Sequence, residues 1–140
     1  MQVKIKHAKL GQVIDLLFNL SLKGKQSRHR TKFIQKLSER YKEVEEQRIE
    51  LAKEFAKKDE NDEPLKTKDG KGYEIEDQEA FQKEIKELFE EELVIDGGDN
   101  QGMLQTVKKV LDECDVAFSG VQATAYDYIC DQLEEGVKHD

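Results

Sequence analysis

Three histidines, two cysteines and 31 carboxylates are the side chains that could do chemistry, and their spacing decides whether they can. His7, His29 and His139 are scattered, and none has a Cys or a second His at metal-ligand spacing. Each is expected to be solvated. Cys114 and Cys130 lack an adjacent His that would make a nucleophile. Two cysteines do not make a disulfide framework, so both are expected to be reduced and to pack as small core residues. The run Asp96-Gly97-Gly98-Asp99-Asn100 suggests a calcium loop, which needs acids at positions one, three and five and a Glu at twelve. Position twelve from Asp96 is Val107, so the run reads as a turn. Gly97-Gly98 is not followed by the Lys-Ser/Thr of a phosphate loop. Glu87/Glu91 and Glu134/Glu135 fall on solvated helix faces, whereas catalytic carboxylates need a pocket that separates their pKa values. No catalytic, cofactor-binding or metal residue is assigned, no cofactor is expected, and the chain is read as a non-enzyme.

The basic stretch is the strongest functional lead. Lys23, Lys25, Arg28, His29, Arg30, Lys32 and Lys36 cluster around one loop and the start of one helix. Cations there oppose the helix dipole, so helix stability does not explain them. Phosphate backbone is one fitting partner and an acidic protein surface another. Neutralisation by Glu-rich helices of the same chain, such as 84–92, is the third reading. An overall pI near 5.0 and the lack of aromatics interleaved with the cations weigh against nucleic acid. The candidate interaction surface is therefore Lys23, Lys25, Arg28, Arg30 and Lys32.

The net charge of -8 conceals a division. Of 23 Lys/Arg and 31 acids, residues 1–40 hold ten and two, and residues 41–140 hold thirteen and twenty-nine. Charged residues make 39% of the chain and apolar ones 36%, a thin core supply that suits long helices with one buried stripe. One Pro and no Trp again favour long helices. No apolar run approaches the roughly 18 residues that cross a bilayer. Lys4, Lys6 and Lys9 imitate a signal-peptide start, but no small-residue cleavage site follows, so a cytosolic protein without membrane contact is expected.

These side chains must be positioned by a mainly α fold with minor β. Residues 1–7 alternate as a strand, and 8–22 read as a helix through Leu10, Val13, Ile14 and Leu17, with Gly24 as its stop. Ser27 is expected to cap a second helix running to about residue 58. Its seam of Ile34, Leu37, Tyr41, Val44, Arg48, Leu51 and Phe55 steps by 3 and 4, the spacing of one helix laid along another. A helix that long suits a protruding hairpin or a dimer. Asp69-Gly70 predicts a two-residue hairpin turn within 64–75, both central residues at positive φ. Asp77 should cap a third helix with Phe81, Ile85, Leu88 and Phe89 inward, packed antiparallel to the second. Residues 93–96 are expected to pair with 2–6. A fourth helix follows over 103–114. Ser119-Gly120-Val121-Gln122 should form a capping box for a fifth, which carries Ala125, Ile129 and Leu133. One domain over 1–140 is expected, in parts 1–27, a helical arm 28–92 and 93–135, with 136–140 a frayed tail. The whole is a long antiparallel helical hairpin, tipped by a β-hairpin, on a small helical bundle with a two-stranded element.

Several segments carry a resemblance. They are Leu20-Ser21-Leu22-Lys23-Gly24-Lys25 with Ser27-Arg28, then Lys57-Lys58-Asp59-Glu60 before the Asp-Gly turn. Glu90-Glu91-Glu92-Leu93-Val94-Ile95 and Ser119-Gly120 with Ala125-Tyr126-Asp127-Tyr128 follow. In order and spacing the chain resembles a small family of uncharacterised bacteriophage and prophage proteins of Gram-positive hosts. The resemblance implies a phage-encoded protein expressed in a bacterial cell and carries over no functional residue. The expected function is a non-enzymatic accessory role through protein–protein contacts, virion-associated or host-factor-binding, with self-association as a further partner class. The alternative is a nucleic-acid-binding regulator using residues 23–36.

Overall fold

The computed structural model describes residues 1–138, so His139 and the end of the expected frayed tail lie outside it. Its described residues form five helices and one two-stranded sheet, in two compact units: residues 1–41 with 92–138, and residues 42–91. The second unit begins at Lys42 rather than at residue 28.

In the first unit, β1 (Gln2–Lys6) pairs antiparallel with β2 (Glu92–Asp96), Lys4 opposite Val94. Alternation fixes the register: Val3, Ile5, Leu93 and Ile95 are buried while Lys4, Lys6 and Val94 face outward. A 3-10 turn, His7–Lys9, leads into α1 (Leu10–Phe18), shorter than the expected 8–22. Leu10, Val13, Leu16 and Leu17 of α1 meet Leu104, Val107 and Leu111 of α4 (Gln101–Asp112) and Ala125, Ile129 and Leu133 of α5 (Gly120–Lys138) in one core. Lys108 ties α4 to α5 by bonding both Asp112 at 2.5 Å and Glu134 at 2.7 Å. Those two hydrogen bonds hold its ammonium above the usual lysine range.

The helix α5 runs to Lys138 instead of fraying from Gly136. Gly136 is buried against the Gln2 carbonyl, closer than any Cβ could sit, so a side chain there would push α5 off β1. Gly120 enters α5 at φ 57, and the backbone N–H of Ala123 reaches the Ser119 carbonyl at 3.4 Å. Gly24, expected to end α1, instead opens α2 (Gly24–Glu54) at φ 57, so Ser27 sits inside the helix rather than capping it. The expected heptad seam placed Ile34 and Leu37 inward. Phe33 and Leu37 are fully buried, Ile34 is half-buried, and Tyr41 is 43% exposed.

The second unit holds the remainder of α2 and α3 (Gln78–Glu90). Asp77 caps α3 by accepting from the Ala80 N–H at 3.0 Å. Phe55 and Phe81 stack with centroids 6.0 Å apart where α2 ends and α3 begins. The helix α2 stops at Glu54, short of residue 58, because the following backbone enters another ladder. Lys57 N–H donates to Glu74 O, Glu74 N–H to Leu65 O, and Leu65 N–H to Lys57 O, each at 2.8–2.9 Å. The expected hairpin is present as the bridge Lys66↔Tyr73, and Ile75 bridges Ala56 in the segment after α2. Its turn differs: Thr67 N–H bonds Gly72 O, closing a four-residue loop in which only Gly70 has positive φ, at 71°. Asp69 decides this, accepting from Thr67 Oγ1 at 2.6 Å and Lys71 N–H at 3.0 Å. Its side chain closes a loop that a two-residue turn would have closed by backbone alone. The Thr67 hydroxyl, then the Lys71 amide, hold the Asp69 carboxyl below its ordinary range.

Candidate interaction surface

The five cations singled out from the sequence divide by role. Arg30 is spent internally. Its guanidinium donates to the carbonyls of Leu17 at 2.9 Å and Leu20 at 2.7 Å. Leu17 lies in the last turn of α1 and Leu20 just beyond it, so Arg30 staples the end of α1 and its linker to α2. Lys23, Lys25, Arg28 and Lys32 are exposed. Among the described residues, no hydrogen bond or ion pair engages their side chains.

Within α2 the exposed cations have a phase. Lys25, Arg28 and Lys32 step by 3 and 4 and share one helical face, continued by half-buried Lys36. Phe33 and Leu37 point into the core from a different face. The core therefore anchors the helix while the cations face outward. Lys32 and Lys36 also line a hollow of about 460 Å³ with His29, Asp99 and Asn100.

His7 and His29 are not solvated as expected. His7 is 6% exposed, and Arg40 Nη1 donates to its Nε2 at 3.1 Å, which leaves the ring proton on Nδ1 in the neutral imidazole. His29 is half-buried, with Nδ1 2.8 Å from Thr106 Oγ1. The Thr106 hydroxyl donates to the Gly102 carbonyl at 2.9 Å, so it accepts from His29 Nδ1–H. Sequence spacing could not reveal either partner, because Arg40 and Thr106 lie far along the chain.

Cys114 and Cys130 are free thiols, half-buried against the core beside Tyr126. The Tyr126 hydroxyl donates to Leu111 O at 2.6 Å. Burial first, then the neighbouring Cys130, pushes the Tyr126 phenol up to about 12. Burial likewise raises the Cys130 thiol, which disfavours a reactive thiolate. Asp96-Gly97-Gly98-Asp99-Asn100 forms the end of β2 and a 3-10 turn, with Asn100 Nδ2 donating to Asp96 O at 3.1 Å. Among the described residues, no group of three His, Cys, Asp or Glu side chains could hold a metal ion.

One feature escaped the sequence-based expectations. In the second unit, Glu43, Glu46, Glu50 and Glu54 of α2, Glu84 and Glu87 of α3 and Glu91 just after it line a groove of about 590 Å³. Leu51 and Leu88 provide its apolar lining. Glu87 and Glu91 were read as ordinary solvated acids; the groove collects them with five more. The signal was present in the 3, 4, 4 spacing of the α2 glutamates, which puts them on one face.

No helix among the described residues is long and apolar enough to cross a membrane. No curated protein and no solved structure matches the chain. A family model does match, over residues 1–140, and the chain belongs to that family, described as Protein of unknown function (DUF1617).

Proposed function

We propose that this chain is a non-enzymatic accessory protein of a phage or prophage, acting in the bacterial cytoplasm or on the virion through protein–protein contacts. The outward cations Lys23, Lys25, Arg28 and Lys32, without a partner among the described residues, carry this reading. Their face is held in place by the buried side of α2 and by the Arg30 staple. Exposed, pre-positioned charge of one sign speeds and orients encounter with a surface of the other sign. The phage or prophage assignment rests on the segments from Leu20 to Tyr128 that resemble such proteins.

Phosphate backbone is the competing partner for the same face, and salt dependence separates the two. Fluorescence anisotropy with a labelled DNA duplex and with a labelled acidic peptide, each at two salt concentrations, compares them. The proposal expects binding to the acidic peptide that Arg28→Glu/Lys32→Glu abolishes. Tighter binding to the duplex, falling steeply with salt and lost in the same variant, overturns it in favour of nucleic acid.

A further inference from the structure

The groove of the second unit lies between two stretches of helix that belong to that unit alone. Phe55 stacks on Phe81 where α2 ends and α3 begins, and from there the groove runs back along both helices. From Glu46 to Glu54, α2 rises about 12 Å, roughly two helical turns. The floor is apolar: Leu51 is half-buried and Leu88 buried, and both line it. Two antiparallel helices with an apolar trough between them leave the place of a third helix open.

The rim decides what fits there. Glu46, Glu54, Glu84 and Glu87 are exposed, and among the described residues no ion pair engages them. Glu50 meets Lys53 at 3.4 Å, but neither a Lys nor an Arg lines the groove itself. Helix stability does not explain this rim. Glu46, Glu50 and Glu54 stand four residues apart, where like charges repel. Glu54 and Glu87 fall in the last turns of α2 and α3, at the negative end of each helix dipole. The carboxylates are strung along the groove instead of converging, and among the described residues no group of three could hold a metal ion. The complement of this surface is an extended polycation with one apolar side.

We infer that the groove seats a helical segment of another protein, one that carries an apolar stripe flanked by lysines or arginines. The stripe rests on Leu51 and Leu88 as a helix laid in a groove. The long cationic side chains reach outward to the glutamates of both rims. Exposed pairs are individually weak, so the rim selects and orients the segment while the apolar floor holds it. The site stands on the second unit by itself. It does not rest on the cationic face of the first unit, and it gives the chain a second contact surface of opposite sign.

Fluorescence anisotropy on the full chain at low salt tests this with three labelled synthetic peptides. One is a helix with leucines at i, i+4 and i+7 flanked by lysines. The second has the same composition scrambled so that no stripe forms. The third keeps the stripe and has glutamine for every lysine. The first is expected to bind at least about tenfold tighter than either of the others. Glu46→Gln/Glu54→Gln/Glu87→Gln should weaken its binding by about tenfold or more, the worth of several exposed charge pairs. The same variant should keep or raise the melting temperature, because it removes repulsion and no pair. Glu60→Gln/Asp62→Asn/Glu63→Gln takes the same charge from an exposed loop of the same unit and should leave binding unchanged. Equal binding of the scrambled peptide would reduce the site to bulk charge attraction, and equal binding of the glutamine peptide would reduce it to an apolar patch. Either result overturns the inference. So does a wild type that binds none of the peptides, or a loop variant that loses as much binding as the groove variant.

Discussion

The two compact units are built from different materials. Residues 1–41 with 92–138 bury a continuous apolar cluster that joins both strands, α1, α4, α5 and the Phe33–Leu37 turn of α2. Residues 42–91 bury only Val44, Ala56 and Leu88 as apolar side chains. Order there comes from local polar chemistry: the Asp77 cap, the Asp69 loop, and Asp59 accepting from the N–H groups of Asn61 and Glu63. Apolar burial is worth about 25 cal/mol per Å², whereas a typical hydrogen bond nets about 1 kcal/mol. The first unit should therefore hold the global stability, and the second should open more readily.

Phe33→Ala empties the largest fully buried side chain of the first unit and should cost about 3–5 kcal/mol. Urea unfolding measures this; a loss below about 1 kcal/mol would show a core that collapses onto the gap. Val44→Ala in the second unit should cost about 1–2 kcal/mol. Amide exchange should accelerate across 42–91 and stay slow in the first unit; equal acceleration everywhere would mean one cooperative whole.

Gly70→Val forces a β-branched residue into positive φ and should cost about 1–2 kcal/mol locally. Faster exchange at Thr67, Gly72 and Glu74 with unchanged circular dichroism is expected. A general loss of helix would show that the loop is integral to the second unit. The smallest effect is alkaline. The Tyr126 phenol is raised to about 12 in the fold, against 10.0 for a free phenol. A raised folded pKa gives stability that is complete below pH 10 and is lost as pH climbs from about 10 to about 12. Tyr126→Phe should flatten that part of the stability profile. An unchanged alkaline slope would show that the phenol is not what titrates.

Much of this architecture was legible because period and burial coincide. Val3 and Ile5 alternate against Leu93 and Ile95, and the strands pair as the alternation predicts. Asp77 caps its helix, and α4 buries Leu104, Val107, Val110 and Leu111 as their spacing requires. Legibility failed where a distant side chain decides. Ser27 looks like a cap, yet α2 opens at Gly24, and Arg30 reaches back from within it to Leu17 and Leu20. The heptad reading of α2 chose Tyr41 and missed Phe33, although both lie in the first unit, where Phe33 and Leu37, four residues apart, carry the buried face. His7 and His29 looked solvated because Arg40 and Thr106 become neighbours only in the fold. The basic cluster was visible as composition, but the sequence did not separate Arg30, an internal staple, from the outward Lys25, Arg28 and Lys32. The glutamate groove needed α3 to be placed before its acids could be gathered.

The central claim is that the outward face of α2 works by being covered. Acylation of lysines, read residue by residue by mass spectrometry, tests it directly. The protein is labelled in the cells that make it and, separately, as dilute purified chain at high salt. Lys25 and Lys32 should react several-fold more slowly in the cell, while exposed Lys66 and Lys68 in the loop region of the second unit react equally in both. Equal reactivity of Lys25 and Lys32 in the two settings would contradict the account, leaving that face as solvated charge.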